Sequence, residues 1–146
     1  MARAIALALC VAALAGCGGS SGGKSNPDER IIRGWSRAVD AGQFDRAADY
    51  FAPGAVVIQS EIYELDTHAQ AVAWNRGLPC RADVTFVRAE EGGTTLAGFH
   101  LRTGRTGECR QGGSARVRFT IKGGKIRVWH QLPDEQPKEL PPGETA

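Results

Sequence analysis

From Ile31 onward the apolar positions recur at helical spacing: Ile31, Ile32, Trp35, Ala38 and Val39. That spacing predicts a helix with one apolar face. Asn26-Pro27-Asp28-Glu29 supplies its start, with an amide to cap it, proline in the first turn and two acids facing the helix dipole. Gly42 is placed to stop it. A second, shorter helix is predicted from Phe44 to Phe51, with Phe44, Ala47, Ala48 and Phe51 on one side and Pro53-Gly54 ending it. Ala55 to Ile58 reads as a strand that continues irregularly through Tyr63. A third helix opens at Thr67, where Thr67-x-x-Gln70 forms a capping box. It carries Ala71, Val72 and Trp74, and stops at Gly77 with Pro79 beyond.

Beyond Ala82 the period shortens to two, and two Gly-Gly pairs suggest hairpin turns. A two-residue turn at Gly92-Gly93 sets Phe86 against Phe99 and Val84 against Leu101, with Thr85 meeting His100 and Asp83 meeting Arg102 on the other side. A turn at Gly123-Gly124 pairs Ile121 with Ile126, Phe119 with Val128 and Val117 with His130. Its opposite face pairs Thr120 with Arg127 and Arg118 with Trp129, the last as a cation–π contact. Apolar and polar sets separate in both registers, which predicts half-covered antiparallel strands with helices over the apolar face.

The 42% hydrophobic content is enough for one real core, and a net charge of +2 with dispersed basic residues does not suggest nucleic acid. The first 16 residues read as an export signal, with Arg3 ahead of an uncharged run from Ala4 to Ala15 that is shorter than the roughly 20 residues of a spanning helix. "LAGC", Leu14 to Cys17, resembles the lipobox of bacterial lipoproteins. In that family the cysteine is acylated and becomes the first mature residue, which implies a membrane anchor on the extracytoplasmic face. Residues 17–26, the acylated Cys17 with "GGSSGGKSN", read as a flexible tether, 27–133 as the folded domain, and 134–146 as a disordered Pro-rich tail. Cys10 leaves with the leader. The remaining Cys80 and Cys109, in an oxidising compartment, predict one disulfide rather than a metal or nucleophile site.

"AVDAGQFDRAADYFAPGAVV", Ala38 to Val57, and the closing "RVRFTIKGGKIRVWHQLPD" resemble the NTF2-like superfamily, in particular its SnoaL-like members. Gln43 and Gly54 stand where that pattern usually has Asp. The resemblance implies an α+β cone: three N-terminal helices packed on a curved antiparallel sheet, with a pocket at the open end. In the ketosteroid isomerase branch the matching positions are Trp35 for the phenol, Gln59 for the base and Arg116 for the second acid, and none keeps the needed group. The acid–arginine–acid set of the superfamily's epoxide hydrolases finds no convincing placement.

The candidate pocket residues are Trp35, Tyr63, Trp74, Phe86, Phe99, Val117, Phe119 and His130. His130 reads either as a pocket acid or base near Asp40 or Glu61, or as a half-buried histidine bonded to a backbone carbonyl. His68 and His100 read as surface residues. Arg116, Arg118, Arg127 and Trp129 make a basic outer face, available to a second copy or to solvent. The expectation is a non-catalytic envelope lipoprotein that binds a small hydrophobic ligand or an envelope protein, with no cofactor and no metal. The alternative is a SnoaL-like enzyme using His130.

Overall fold

A computed structural model describes residues 26–104, 109 and 112–133. The export signal, Cys17, the tether and the Pro-rich tail lie outside the described residues.

Helix α1 (Pro27–Asp40) begins as its residues dictate: the Asn26 side chain accepts from the Asp28 N–H at 3.1 Å, and Pro27 occupies the first turn. Asp28 also accepts from the Thr95 hydroxyl at 2.7 Å, which pins the helix start to the sheet. Gly42, with φ of 70°, turns the chain away after the helix. Helix α3 (His68–Arg76) carries the reciprocal Thr67–Gln70 capping box.

Helix α2 (Phe44–Ala48) is shorter than its apolar spacing suggests. Phe51 already opens strand β1 (Phe51–Ile58), because β6 captures the chain: the Ile126 N–H donates to the Tyr50 carbonyl at 2.8 Å, and Phe51 pairs with Ile126. Pro53-Gly54 therefore does not end a helix. It sits in an irregularity of β1, where a missing N–H and a positive φ are tolerated. The chain then reverses at Gln59–Glu61, and β2 (Ile62–Leu65) runs back antiparallel to β1 instead of continuing it.

The remaining strands are β3 (Arg81–Ala89), β4 (Thr95–Arg102), β5 (Ser114–Lys122) and β6 (Lys125–Leu132). The six strands lie in the order β2-β1-β6-β5-β4-β3. Every neighbouring pair is antiparallel except β1 with β6, which is parallel, so the sheet is mixed and not wholly antiparallel as expected.

Both hairpin registers slip. The turn between β3 and β4 holds three residues, 91–93, and not two, so Phe86 faces Gly98; Thr85 is then an extra residue on β3, so Val84 faces Phe99, Asp83 faces His100 and Ala82 faces Leu101. Arg127 is an extra residue on β6, so Ile121 keeps Ile126 but Phe119 faces Trp129, Arg118 faces His130 and Val117 faces Gln131. A bulge bends and twists its strand. Past each one, every side chain changes face. Trp129 turns inward and is 5% exposed, while His130 and Phe86 turn to the outer face. The expected Arg118–Trp129 contact does not exist; Arg118 pairs with Glu90 instead.

The inner face and the helices share one core. Ile32, Trp35 and Ala38 of α1 meet Ala47 and Ala48 of α2, Val57 of β1, Ala97 and Phe99 of β4, Val117 and Phe119 of β5, and Ile126 and Trp129 of β6.

Candidate functional site

The core is not filled at one end. A cavity of about 140 Å³ opens between the C-terminal half of α1, the Leu78–Cys80 segment and the inner faces of β3 to β6. Its wall is mostly apolar: Trp35, Val39, Leu78, Phe99, Leu101, Val117 and Trp129 among others. A cavity of about this size accepts a benzene-sized molecule when its lining is apolar.

Trp35 organises the wall. It meets Phe51, Phe99, Phe119 and Trp129 edge-on and stacks on Trp74, with ring centroids 5.9 to 6.4 Å away. Its indole N–H donates to Asn75 Oδ1 at 2.8 Å, and Asn75 Nδ2 donates to the Ala71 carbonyl at 2.8 Å, so a fully buried amide is satisfied on both sides. Trp129 differs. Its Nε1 is buried and meets no acceptor among the described residues.

The polar groups on the wall are few. Gln59 Nε2 donates to Gln131 Oε1 at 3.3 Å, and Trp74 Nε1 donates to Gln59 Oε1 at 3.3 Å. Ser36 donates to the Ala82 carbonyl at 3.1 Å. Among the described residues Asp40 is the one carboxylate lining the cavity. It accepts from the Ala82 N–H at 3.2 Å and pairs with Arg102, whose Nε reaches Asp83 at 2.7 Å. An acid–arginine–acid set that the sequence did not yield is therefore present. It ties the end of α1 to β3 and β4. Arg102 and Asp83 line neighbouring surface depressions, so the set does not converge on the cavity.

Of the sequence candidates, Trp35, Phe99 and Val117 line the cavity, and Trp74 and Phe119 pack behind Trp35. Gln59 also lines it. Arg116 faces Gly98 on the outer side, and its neighbours Ala115 and Val117 line the cavity instead. Tyr63 lies on β2 at the sheet edge, 40% exposed, with its hydroxyl 3.0 Å from Glu61. That hydrogen bond, with the Glu61 charge, pushes the phenol above its ordinary pKa. Phe86 and His130 lie on the outer face, so the cavity reading of both is corrected. His130 faces Arg118 and not Asp40 or Glu61.

Sequence reasoning missed Trp129, Gln131 and Leu78. A signal for Trp129 was available in its bulk, since the assumed register placed an indole outside and an imidazole in the core. Among the described residues no three His, Cys, Asp or Glu side chains gather as a metal site. Cys80, on the cavity wall, is disulfide-bonded to the buried Cys109, with Cα atoms 5.0 Å apart.

Residues 32–129 match the family model of the SnoaL-like domain. No curated protein matches the chain. Similar solved structures include an NTF2-like protein of unknown function from Cytophaga hutchinsonii, at 12% identity and TM-score 0.58, covering 71% of this chain and 87% of that one. A candidate polyketide cyclase from Sinorhizobium meliloti is 20% identical with TM-score 0.57, covering 73% of this chain and 99% of that one. A candidate ketosteroid isomerase from Kribbella flavida is 16% identical with TM-score 0.57, covering 80% and 84%. At these identities the likeness shows the NTF2-like α+β fold with its curved sheet.

Proposed function

The chain belongs to the SnoaL-like domain family, and from that premise we propose a non-catalytic binding domain whose cavity takes a small apolar ligand carrying one hydrogen-bond acceptor. The observation that carries this reading is the mostly apolar cavity wall that Trp129 shares with Trp35, Phe99 and Leu101, with the side-chain amides of Gln59 and Gln131 in the same lining. An amide N–H of the Gln59–Gln131 pair can donate to a carbonyl or ether oxygen on the ligand. Proton transfer has weaker support. Asp40 is held by Arg102 and a backbone N–H, and the other polar lining groups named above are amides, a hydroxyl and indoles. The enzyme descriptions of two similar structures favour a catalytic reading, but His130 does not serve it from the outer face.

In this proposal the domain stands outside the cytoplasmic membrane on its tether, held by acyl chains on Cys17. The "LAGC" stretch and the disulfide support that address. Two or more acyl chains hold a protein on a bilayer stably. Cys17→Ser should move the protein from the membrane to the soluble fraction, and continued membrane association would refute the anchor.

The binding reading is tested by native mass spectrometry of the full chain purified from envelopes, beside Trp129→Phe. A small adduct on the parent, reduced or lost in the variant, is expected. A bare parent, or equal retention by both, would defeat the proposal.

A further inference from the structure

A second depression, of about 550 Å³, lies beside the cavity and shares Asp40 with it. Four elements each send an arginine to its lining: Arg37 from α1, Arg46 from α2, Arg81 from the start of β3 and Arg102 from the end of β4. Among the described residues Asp40 is the one carboxylate in that lining, and it is engaged by Arg102. The other three guanidinium groups have no carboxylate among the described residues. Arg81 donates to the backbone carbonyl of Asp40 at 3.2 Å and Arg46 to the Gln43 side-chain oxygen at 3.4 Å, both neutral acceptors. The side chain of Arg37 makes no hydrogen bond or ion pair with another described residue. Tyr50 completes the wall. It packs over Gly34, where any Cβ would collide with the phenol, and its hydroxyl bonds to no described residue.

Like charges held in a walled groove focus positive potential and concentrate anions there. Guanidinium forks match phosphate oxygens in pairs, and three forks with no carboxylate partner among the described residues suit a group with more oxygens and more charge than a single carboxylate. The geometry points to an anion-binding site in this groove, taking a phosphate group that is either free or carried on a larger molecule such as a lipid head. The volume leaves room for the moiety that bears the phosphate. This site is separate from the apolar cavity and does not depend on what that cavity holds.

The test uses the full chain carrying Cys17→Ser, so that no acyl group contributes. Calorimetric titration with inorganic phosphate at low ionic strength should give saturable binding. Replacing Arg37, Arg46 and Arg81 together by alanine should weaken it by about tenfold or more, since each lost charge-assisted bond is a strong one. All three are exposed, so the fold should persist, and an unchanged melting temperature checks this. A control variant, Arg30→Ala with Arg127→Ala, removes exposed charge elsewhere and should leave binding unchanged. Vesicles of phosphatidylcholine, with and without phosphatidylglycerol, separate the sources. Binding to the anionic vesicles alone, displaced by phosphate, assigns a lipid head; phosphate binding without vesicle binding assigns a soluble phosphate compound. Absence of phosphate binding, or equal losses in the triple variant and the control, would overturn the site.

Discussion

Trp35 and Trp129 meet nearly edge to face, ring centroids 6.3 Å apart and planes at 70°, yet only one of their indole N–H groups has an acceptor among the described residues. Asn75 waits for Trp35. Nothing in the described protein waits for Trp129.

That asymmetry predicts opposite outcomes for the same substitution. Trp35→Phe removes a satisfied bond and strands the Asn75 oxygen in a site with no solvent access, so it should cost about 2–4 kcal/mol. Trp129→Phe removes a donor that is already unpaired. Its lost packing is offset by the removed penalty, and stability should stay within about 1 kcal/mol of the parent. Urea unfolding midpoints of the two variants decide it. Equal destabilisation would mean that Trp129 has a partner after all.

The outward turn of Phe86 is tested at Gly98. The Phe86 ring lies over Gly98, with Arg88 5.6 Å from its centroid, and a Cβ at residue 98 would collide with that ring. Gly98→Ala should therefore cost about 1 kcal/mol or more as the ring swings off. In a Phe86→Ala background the same change should be nearly neutral, the coupling being read from a double-mutant cycle. Phe86 is 39% exposed, so Phe86→Ala alone should cost well under the 3–5 kcal/mol of a buried phenylalanine. A core-sized loss would instead support the two-residue-turn register that pairs Phe86 with Phe99.

These two sites also mark where the sequence stops being legible. The starts and stops of α1 and α3 were readable because they are local: the Asn26 cap, the Thr67–Gln70 box and the Gly42 turn each act within a few residues, whereas the end of α2 is set by the pairing of Phe51 with Ile126 on β6. The two Gly-Gly turns located the hairpins for the same reason. Thr85 and Arg127 were not readable as bulges, since an extra residue is set by how the whole sheet must bend around the helices. One slipped residue then exchanged His130 for Trp129 at the cavity. The parallel pairing of β1 with β6 was hidden likewise, because its partners lie about seventy residues apart and leave no short-range pattern.

A pH dependence follows from the hairpin between β3 and β4. Glu90 accepts from Arg118 Nε at 2.6 Å and from the Thr94 hydroxyl at 3.4 Å, and the Arg118 bond holds its carboxyl below the ordinary glutamate range. A carboxyl depressed in the folded state binds its proton more readily when unfolded. Its stabilising effect is thus fully present above the ordinary glutamate pKa and is lost as pH falls through the lower folded value. Glu90→Gln should lower the melting temperature slightly at neutral pH and should flatten its decline in acid. A parallel acid decline in parent and variant would show that the pair carries no linkage. Raised salt should weaken the effect, as the pair is partly exposed.

The Cys80–Cys109 bridge closes a loop with a sequence separation of 29 and places Cys80 on the cavity wall. Closing such a loop restricts the unfolded chain by roughly 3–4 kcal/mol in the chain-entropy account. Gly104 adds a second constraint nearby, since it passes so close to the Pro79 carbonyl that no Cβ fits. Cys80→Ser with Cys109→Ser should therefore lower stability by about that amount. It should also release the Pro79–Cys80 side of the cavity, so that the double variant retains less of any ligand seen in native mass spectra. Gly104→Ala should lower stability with the bridge intact. Peptide mapping without reductant on envelope-purified protein should recover the two cysteines as one linked pair; two free thiols there would remove both the bridge and its contribution to the cavity wall.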